Sequence, residues 1–142
     1  LLARRGDVRA TASDADPGTV ELGRRMAAEL ALPVAFARAD VTRRLPFAPA
    51  SFDTVTALHV LEHLPARDTG VALTQLCLAA RARVIVAVPL ESSPDPVYGH
   101  LQAFDLDRLG DLADRVPGWR GRAHEHLGGW LVLEREACRV GG

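Results

Sequence analysis

The sequence predicts an α/β fold in which strands of a parallel sheet alternate with helices, followed by a C-terminal antiparallel β-hairpin. Three observations favour this fold. Short runs rich in Val and Ala alternate with helical patterns along the chain. Residues 84–88 are uniformly apolar, which is typical of a strand buried on both faces of its sheet. Near the C-terminus, two strand-like runs flank Gly128-Gly129, a dipeptide that favours a tight turn.

The composition narrows the class of protein further. The 142 residues carry a formal net charge of −1, with 48% hydrophobic and 25% charged residues, which excludes disorder over the whole chain. A protein that binds nucleic acids by neutralising phosphates would be more basic. No apolar run approaches the ~20 residues of a transmembrane helix, and the two cysteines form no disulfide or zinc pattern. We therefore predict a cytoplasmic protein that neither spans a membrane nor binds nucleic acids by neutralising phosphates.

The first third of the chain predicts a strand, a helix and a second strand. Residues 1–5 are typical of a helix end, and residues 8–13 of a short strand. Asp16 is predicted as the N-cap of the next helix, with Pro17 at its first position and Pro33 after its end. The second strand covers residues 34–39. The helix has an apolar face formed by Val20, Gly23, Ala27 and Leu30.

The rest of the chain predicts the remaining sheet and two more helices. A loop over residues 40–51 contains two prolines, and a second long loop contains three more. Strands are typically bounded by such loops. The predicted elements are strand 52–58, helix 68–80, strand 84–88, loop 89–100, helix 105–115, and strands 119–126 and 130–134.

Two aspartates occupy equivalent positions, each directly after a predicted strand. Asp14 follows the first strand and Asp40 follows the second. In open α/β sheets, ligands bind at the carboxyl ends of the strands. An acid after one strand can accept hydrogen bonds from both ribose hydroxyls of an adenosine, and an acid after the next can accept one from the adenine amino group. The sequence therefore predicts an adenosine site at this edge.

Residues 45–65 read LPFAPASFDTVTALHVLEHLP. This stretch resembles the small-molecule group of class I S-adenosylmethionine-dependent methyltransferases, which carries the pattern LPF, then SFDxV, then VLEHL. The order of acids, strands and terminal hairpin along most of the chain is similar too. The resemblance implies a Rossmann-like class I methyltransferase sheet, S-adenosylmethionine as the cofactor, and a small-molecule acceptor.

The same resemblance implies roles for individual residues. Asp14 would bind the ribose hydroxyls, with Ala15 lining the ribose edge. The Asp40 side chain would accept from the adenine amino group, and the Val41 N–H would donate to a ring nitrogen. The Leu58 carbonyl, at the end of a strand, would meet the methionine part of the cofactor.

The sequence departs from the family at its beginning. The family's first strand and its Gly-x-Gly-x-Gly loop are missing, and residues 1–6 match the helix that follows that loop. In the family's sheet the missing strand lies between the strands that end at Asp14 and Leu58, so its loss leaves two unpaired edges. Because the chain also begins with Leu1 instead of Met, we expect residues 1–142 to form the C-terminal portion of a methyltransferase domain. Such a piece would bind the cofactor weakly or not at all.

Methyl transfer to a hydroxyl requires a group that takes its proton, and histidine is suited to this near neutral pH. We predict His100 and His63 as catalytic residues. His63 lies in the loop after a strand, where this group places substrate-facing residues. His100 lies in the stretch GHLQAF, which is similar to GHxxxF stretches that line acceptor pockets in related methyltransferases. His59 is a further histidine candidate, and Glu91 and Tyr98 are weaker ones.

The run from His59 to His63 also matches the H-x-x-E-H pattern of zinc peptidases. That pattern requires one long helix, which the preceding strand and Pro65 disfavour. Some methyltransferases of the resembling group carry Glu-x-x-Glu-His here and bind a divalent metal, but this chain has His59 in the first position. The site is therefore predicted without a metal, and a metal held by His59, Glu62, His63 and His100 stays an alternative.

Residues 99–106 and 124–133 loosely resemble the mycofactocin oligosaccharide methyltransferases, which implies a sugar hydroxyl as the acceptor. Two other functions stay open. The first is an NAD-type oxidoreductase, which also has an acid after its second strand but lacks the Phe-Asp strand, the Leu-Glu-His-Leu stretch and the hairpin. The second is a non-catalytic methyltransferase-like remnant or partner subunit. The favoured hypothesis is a methyltransferase acting on a small molecule at oxygen.

Overall fold

The computed structural model describes residues 8–136, so the helix end predicted for residues 1–5 lies outside the described range. The chain divides into two compact units, Leu1–Pro46 and Phe47–Gly142. Each unit has its own sheet, and the helices cross over between parallel strands as the sequence predicts. None of the helices within residues 8–136 has both the length and the apolar character needed to cross a membrane.

The first unit is a βαβ arrangement. Strand β1 (Ala10–Asp14) pairs in parallel with β2 (Val34–Arg38), and helix α1 (Pro17–Glu29) connects them. The Asp16 carboxylate accepts a hydrogen bond of 2.6 Å from the N–H of Thr19, which caps the helix and lowers the pKa of Asp16 below its ordinary value. The predicted helix start is therefore confirmed.

Helix α1 packs closely on β2 through a glycine. A Cβ atom added at Gly23 would lie 2.3 Å from the Phe36 ring, so only glycine permits this approach. Val20 and Ala27 on the same face are buried, as predicted. Leu30 was predicted on this face as well, and here the prediction is wrong. It is 55% exposed, because the helix ends at Glu29 and Leu30 is its C-cap residue.

The second unit contains a mixed sheet with the order β3-β4-β6-β5. The first two strands in this order are parallel, and the other two neighbouring pairs are antiparallel. The last of these pairs is the C-terminal hairpin, which confirms the prediction. The elements are β3 (Phe52–Leu58), α2 (Thr69–Ala79), β4 (Ala80–Val88), α3 (Leu106–Ala113), β5 (Trp119–Glu125) and β6 (Gly129–Arg135).

Strand β4 is longer than the apolar run predicted. Val84, Val86 and Val88 are buried as expected, but the strand already begins at Ala80 and includes two exposed arginines. These arginines form ion pairs with acids on the neighbouring strands, Arg81 with Asp53 and Arg83 with Glu134. The cross-strand pairs compensate for the low strand propensity of a charged segment, which apolar patterning does not detect.

Four strands lie at sheet edges and pair on one side only within residues 8–136: β1 and β2 in the first unit, and β3 and β5 in the second. Two of them, β1 and β3, are the strands between which the resemblance places the family's first strand.

Candidate functional site

The two predicted cofactor carboxylates lie at the same edge of the first unit. Asp14 is the last residue of β1, and Asp40 comes two residues after the end of β2. The strands are parallel and in register, and the N–H of Ala39 donates to the carbonyl oxygen of Asp14 over 2.9 Å. This placement at the carboxyl ends of neighbouring strands is the one that the sequence predicted.

The Asp14 side chain has one oxygen held in place and one oxygen available. Its Oδ1 accepts a hydrogen bond of 2.8 Å from the Asp16 N–H, while Oδ2 has no hydrogen-bond partner among residues 8–136. Ala15 is exposed beside it, and its carbonyl oxygen accepts from the Arg38 Nε–H at 3.0 Å. An exposed, oriented carboxylate of this kind can accept a ligand hydroxyl.

Asp40 is half-buried and its orientation is set by Thr42. Its Oδ1 accepts from the Thr42 hydroxyl at 2.7 Å and from the Thr42 N–H at 2.9 Å. The hydroxyl bond is the main reason that the pKa of Asp40 is lowered from its ordinary value. The second oxygen, Oδ2, lies 3.4 Å from the Arg43 Nε. The Val41 N–H makes no hydrogen bond within the described part of the chain, so it is available to a ligand.

In the second unit, the chain turns sharply after β3. Leu58 ends the strand opposite Ala87 and is half exposed. The next residue, His59, has a left-handed backbone with φ of 54°, and its N–H donates to the Ala87 carbonyl at 2.8 Å. A short 3-10 turn, Leu61–His63, follows. The long helix required by the H-x-x-E-H peptidase pattern is therefore absent from this segment.

Glu62 is a fully buried carboxylate that is only half satisfied. Its Oε1 accepts a hydrogen bond of 3.0 Å from His59 Nδ1. Its Oε2 has no partner among the residues that the structure describes. Buried polar atoms are nearly always hydrogen-bonded, and an unpaired buried oxygen is costly.

The two predicted catalytic histidines lie against each other. The ring centroids of His63 and His100 are 5.1 Å apart in an edge-to-face arrangement. His100 Nδ1 is 2.9 Å from Glu91 Oε2, and His63 Nδ1 is 3.3 Å from the carbonyl oxygen of Gly99. Because a carboxylate and a carbonyl only accept hydrogen bonds, the proton resides on Nδ1 in both rings when they are neutral. Each Nε2 then carries a lone pair.

A buried glutamine joins the two segments that carry these histidines. Gln102 Nε2 donates to the carbonyl oxygens of Leu61 and Leu64, at 2.7 and 2.9 Å, and contacts the Thr69 hydroxyl at 2.8 Å. The N–H of Gln102 also points to the Glu62 carbonyl, at 3.3 Å. The sequence analysis missed this residue, because a single glutamine in a loop carries no signal of burial.

A cavity of about 790 Å³ falls in the size range of small-molecule sites, and it is lined by Glu91 but by neither histidine. Glu91, which bonds His100, lines it together with Leu90 and Ser92. On another wall, the Arg108 guanidinium stacks over the Phe104 ring, 4.6 Å from its centroid. The second unit therefore combines an imidazole cluster with space for a small molecule.

A comparison with protein families matches residues 1–82 to the family described as "Methyltransferase domain". No curated protein sequence matches the chain significantly. The matched residues include β1, β2, β3 and the segment with Glu62 and His63.

Solved structures share the fold at low sequence identity. A Pyrococcus horikoshii OT3 protein is 14% identical with a TM-score of 0.70, over 92% of this chain and 73% of its own. The magnesium protoporphyrin IX methyltransferase of Synechocystis PCC 6803, with bound S-adenosylhomocysteine, is 19% identical with a TM-score of 0.65, over 91% and 65%. An O-methyltransferase from neocarzinostatin biosynthesis, in complex with S-adenosylhomocysteine and 1,4-dihydroxy-2-naphthoic acid, is 18% identical with a TM-score of 0.69, over 92% and 42%. The chain thus spans less than two thirds of the last two structures.

Proposed function

The chain belongs to the methyltransferase domain family, and we propose that the protein uses S-adenosylmethionine to methylate a hydroxyl oxygen of a small molecule. We also propose that residues 1–142 form the C-terminal portion of the catalytic domain. The family membership argues against the NAD-type oxidoreductase. The observation that carries the acceptor chemistry is the His100 side chain, which is bonded to Glu91, a residue that lines a cavity of suitable size.

On the cofactor side, Asp14 and Asp40 are proposed to bind the adenosine. The available Oδ2 of Asp14 fits the ribose hydroxyls, and Asp40 Oδ2 fits an adenine amino group. The unbonded N–H of Val41 fits a ring nitrogen, and Ala15 would line the ribose edge. Leu58, at the exposed end of β3, would offer its carbonyl to the methionine part. These residues suit the cofactor chemically and would account for part of its binding site.

On the acceptor side, His100 and His63 are proposed to receive the hydroxyl. The His100 side chain is 8% exposed, and its Nδ1–H is directed at Glu91, so the free Nε2 can accept a proton. His63 packs against the same ring, and its own Nε2 can accept a hydrogen bond from the acceptor.

Bound S-adenosylmethionine supplies an electrophilic sulfonium methyl group. The acceptor oxygen forms a bond to the methyl carbon while the carbon–sulfur bond breaks, and the hydroxyl proton passes to an imidazole. The products are a methyl ether and S-adenosylhomocysteine. The residues contribute by aligning the oxygen with the methyl group and by removing the proton.

The acceptor is proposed to be a hydroxylated small molecule, and more narrowly a sugar hydroxyl. Support for a hydroxyl comes from the neocarzinostatin O-methyltransferase, which is bound to a dihydroxynaphthoic acid and shares the fold. Support for a sugar comes from the resemblance of residues 99–106 and 124–133 to mycofactocin oligosaccharide methyltransferases.

The test is binding and turnover in the whole protein. Calorimetry should detect S-adenosylhomocysteine binding and no comparable binding of NAD. Transfer of labelled methyl from S-adenosylmethionine to a panel of sugars, phenols and amines should label hydroxyl compounds. Labelling only of amines would contradict oxygen as the target. If neither binding nor labelling occurs, the protein is the non-catalytic remnant or partner subunit.

A further inference from the structure

We propose that Arg38 is a positioning residue of the cofactor site, which holds Asp14 and Asp40 at the spacing that one adenosine requires. Arg38 is the last residue of β2 and lies opposite Asp14 in the parallel pair. It therefore stands beside Asp14 across the sheet and two residues before Asp40 along the chain. The role rests on the proposed function, because adenosine is the ligand that both carboxylates are proposed to bind.

Two hydrogen bonds join the end of β2 to the end of β1 and the turn that follows it. The Ala39 N–H donates to the Asp14 carbonyl oxygen at 2.9 Å. The Arg38 Nε–H donates to the carbonyl oxygen of Ala15 at 3.0 Å. Ala15 lies beyond the last residue of β1, so this side chain extends the connection past the point at which the strand pairing ends. The turn after Asp14 is thereby attached to the strand that leads to Asp40.

The positive charge of Arg38 acts on carboxylates on both sides of this connection. The pKa of Asp16 is lowered mainly by hydrogen bonds from Thr19, and the Arg38 charge contributes a smaller part. The pKa of Asp40 is lowered mainly by hydrogen bonds from Thr42, and the Arg38 charge again contributes a smaller part. Because the effect of a charge weakens with distance, the guanidinium lies near both carboxylates.

The spacing of the carboxylates matters because adenosine is a rigid ligand. Asp14, Asp16 and Asp40 place three like charges at one edge of the sheet, and like charges repel one another. A loop that must be ordered when the ligand binds costs free energy, so a spacing that is fixed beforehand strengthens binding. Arg38 supplies both a hydrogen bond between the two segments and a positive charge at their junction.

Two other arginines of the first unit make contacts that cannot fill this role. Arg43 Nε lies 3.4 Å from Asp40 Oδ2, but both residues belong to one loop, so this pair does not connect the two segments. Arg24 Nη2 donates to the Phe36 carbonyl oxygen at 3.0 Å, which attaches helix α1 to β2 away from the two carboxylates. Arg24 is exposed like Arg38 and also bonds a backbone carbonyl, so it offers a matched control.

The test is cofactor binding by Arg38→Met in the whole protein, since methionine keeps much of the side-chain length without the charge or the donors. Calorimetry should show about tenfold weaker binding of S-adenosylhomocysteine, the effect of losing one hydrogen bond that involves a charged group. The KM for S-adenosylmethionine should rise with kcat unchanged, because the proposed proton acceptors belong to the second unit. Arg24→Met should bind like the original protein. Original affinity in Arg38→Met overturns the proposal, and so does equal weakening in Arg24→Met.

A double variant determines whether Arg38 acts through Asp14. Positions that belong to one network have non-additive effects on a free energy. In a protein that already carries Asp14→Ala, the further change Arg38→Met should therefore weaken binding clearly less than it does alone. The same loss in both backgrounds would show that Arg38 does not position Asp14 and would overturn the proposal. Circular dichroism checks that each variant folds, as expected for exposed positions.

NMR spectra of the 142-residue chain separate failure of this proposal from failure of the proposed function. Without any cofactor, Arg38→Met should shift the backbone N–H signals of Ala15 and Asp16, which are distant in sequence, whereas Arg24→Met should leave them in place. Unshifted signals in Arg38→Met overturn the positioning role. If the original protein binds S-adenosylhomocysteine and Arg38→Met binds it equally well, Arg38 has no positioning role and the methyltransferase stands. If the original protein does not bind it but the signals shift, the connection exists and the proposed function is wrong.

Discussion

His100 Nδ1 lies 2.9 Å from Glu91 Oε2, and the two side chains are 8% and 21% exposed. The hydrogen bond is therefore shielded from water on most sides, which strengthens it. It orients Nε2 of His100 away from the carboxylate and makes that nitrogen available to an acceptor. The proposed chemistry of the second unit depends on this residue.

The change His100→Ala should reduce turnover much more than cofactor affinity. A general base typically contributes about 10²–10⁴-fold to the rate, and His100 belongs to the acceptor side of the proposed site. Steady-state methyl transfer gives kcat, and calorimetry gives the affinity for S-adenosylhomocysteine. His124→Ala, at an exposed strand position, is the control. Wild-type turnover in His100→Ala would show that His100 has no role in the reaction.

The change Asp14→Ala should weaken cofactor binding. Loss of a hydrogen bond to a charged group costs about 1–3 kcal/mol, which corresponds to a roughly 5- to 150-fold higher Kd. The measurement is calorimetry with S-adenosylhomocysteine on the whole protein. Asp53→Ala removes a carboxylate that is paired with Arg81 instead, so it should have no effect. Unchanged binding in Asp14→Ala would remove Asp14 from the site.

The change Thr42→Val should raise the pKa of the Asp40 carboxyl. The Thr42 hydroxyl is the main cause of the lowered pKa, and valine retains the size of the side chain without the hydrogen bond. Because the pKa is lowered in the folded state, the stability that Asp40 contributes is complete above its ordinary value of 3.8. It is lost as the pH falls through the folded-state value.

NMR titration of the Asp40 side chain in both proteins measures this shift directly. Thr74→Val is the matched control, since the Thr74 hydroxyl donates to the Gly70 carbonyl in the second unit. The interpretation is wrong if the Asp40 titration midpoint is the same with and without the Thr42 hydroxyl.

The change Gly23→Ala should destabilise the first unit by about 1–3 kcal/mol, as expected for overpacking. The added methyl group would lie 2.3 Å from the Phe36 ring, so the helix or the ring must move. Gly70→Ala is the control, because its added methyl group meets nothing within 4 Å and alanine favours the helix. Urea unfolding should show a lower free energy of unfolding for Gly23→Ala and a higher one for Gly70→Ala. Equal stability of the two variants would contradict the close packing at Gly23.

The change Gln102→Leu should lower the free energy of unfolding by about 1–3 kcal/mol. It removes the donors that bond the Leu61 and Leu64 carbonyls, and it leaves these oxygens unsatisfied inside the protein. Denaturant unfolding measures the loss, with the exposed Leu101→Ala as the control. The same variant should impair turnover, because the segments with His63 and His100 lose their connection. A fully stable Gln102→Leu protein would show that the connection is unimportant.

Much of the fold could be predicted because it depends on local patterns. Asp16 and Pro17 mark a helix start through capping and a restricted backbone, and the tertiary structure does not alter them. The carboxylates of Asp14 and Asp40 could be placed together because parallel neighbouring strands end at one edge. The longer strand β4 escaped prediction, since its arginines are stabilised by acids on other strands.

The sequence by itself determined the order of the elements, the hairpin and the edge at which Asp14 and Asp40 lie, because hydrophobic periodicity and turn chemistry act over a few residues. Only the tertiary structure decided that Glu62 is buried with one oxygen unpaired and that His63 meets His100. Those facts depend on two loops that Gln102 holds together. Contacts between loops are set by the packing of the whole unit, which no local pattern encodes.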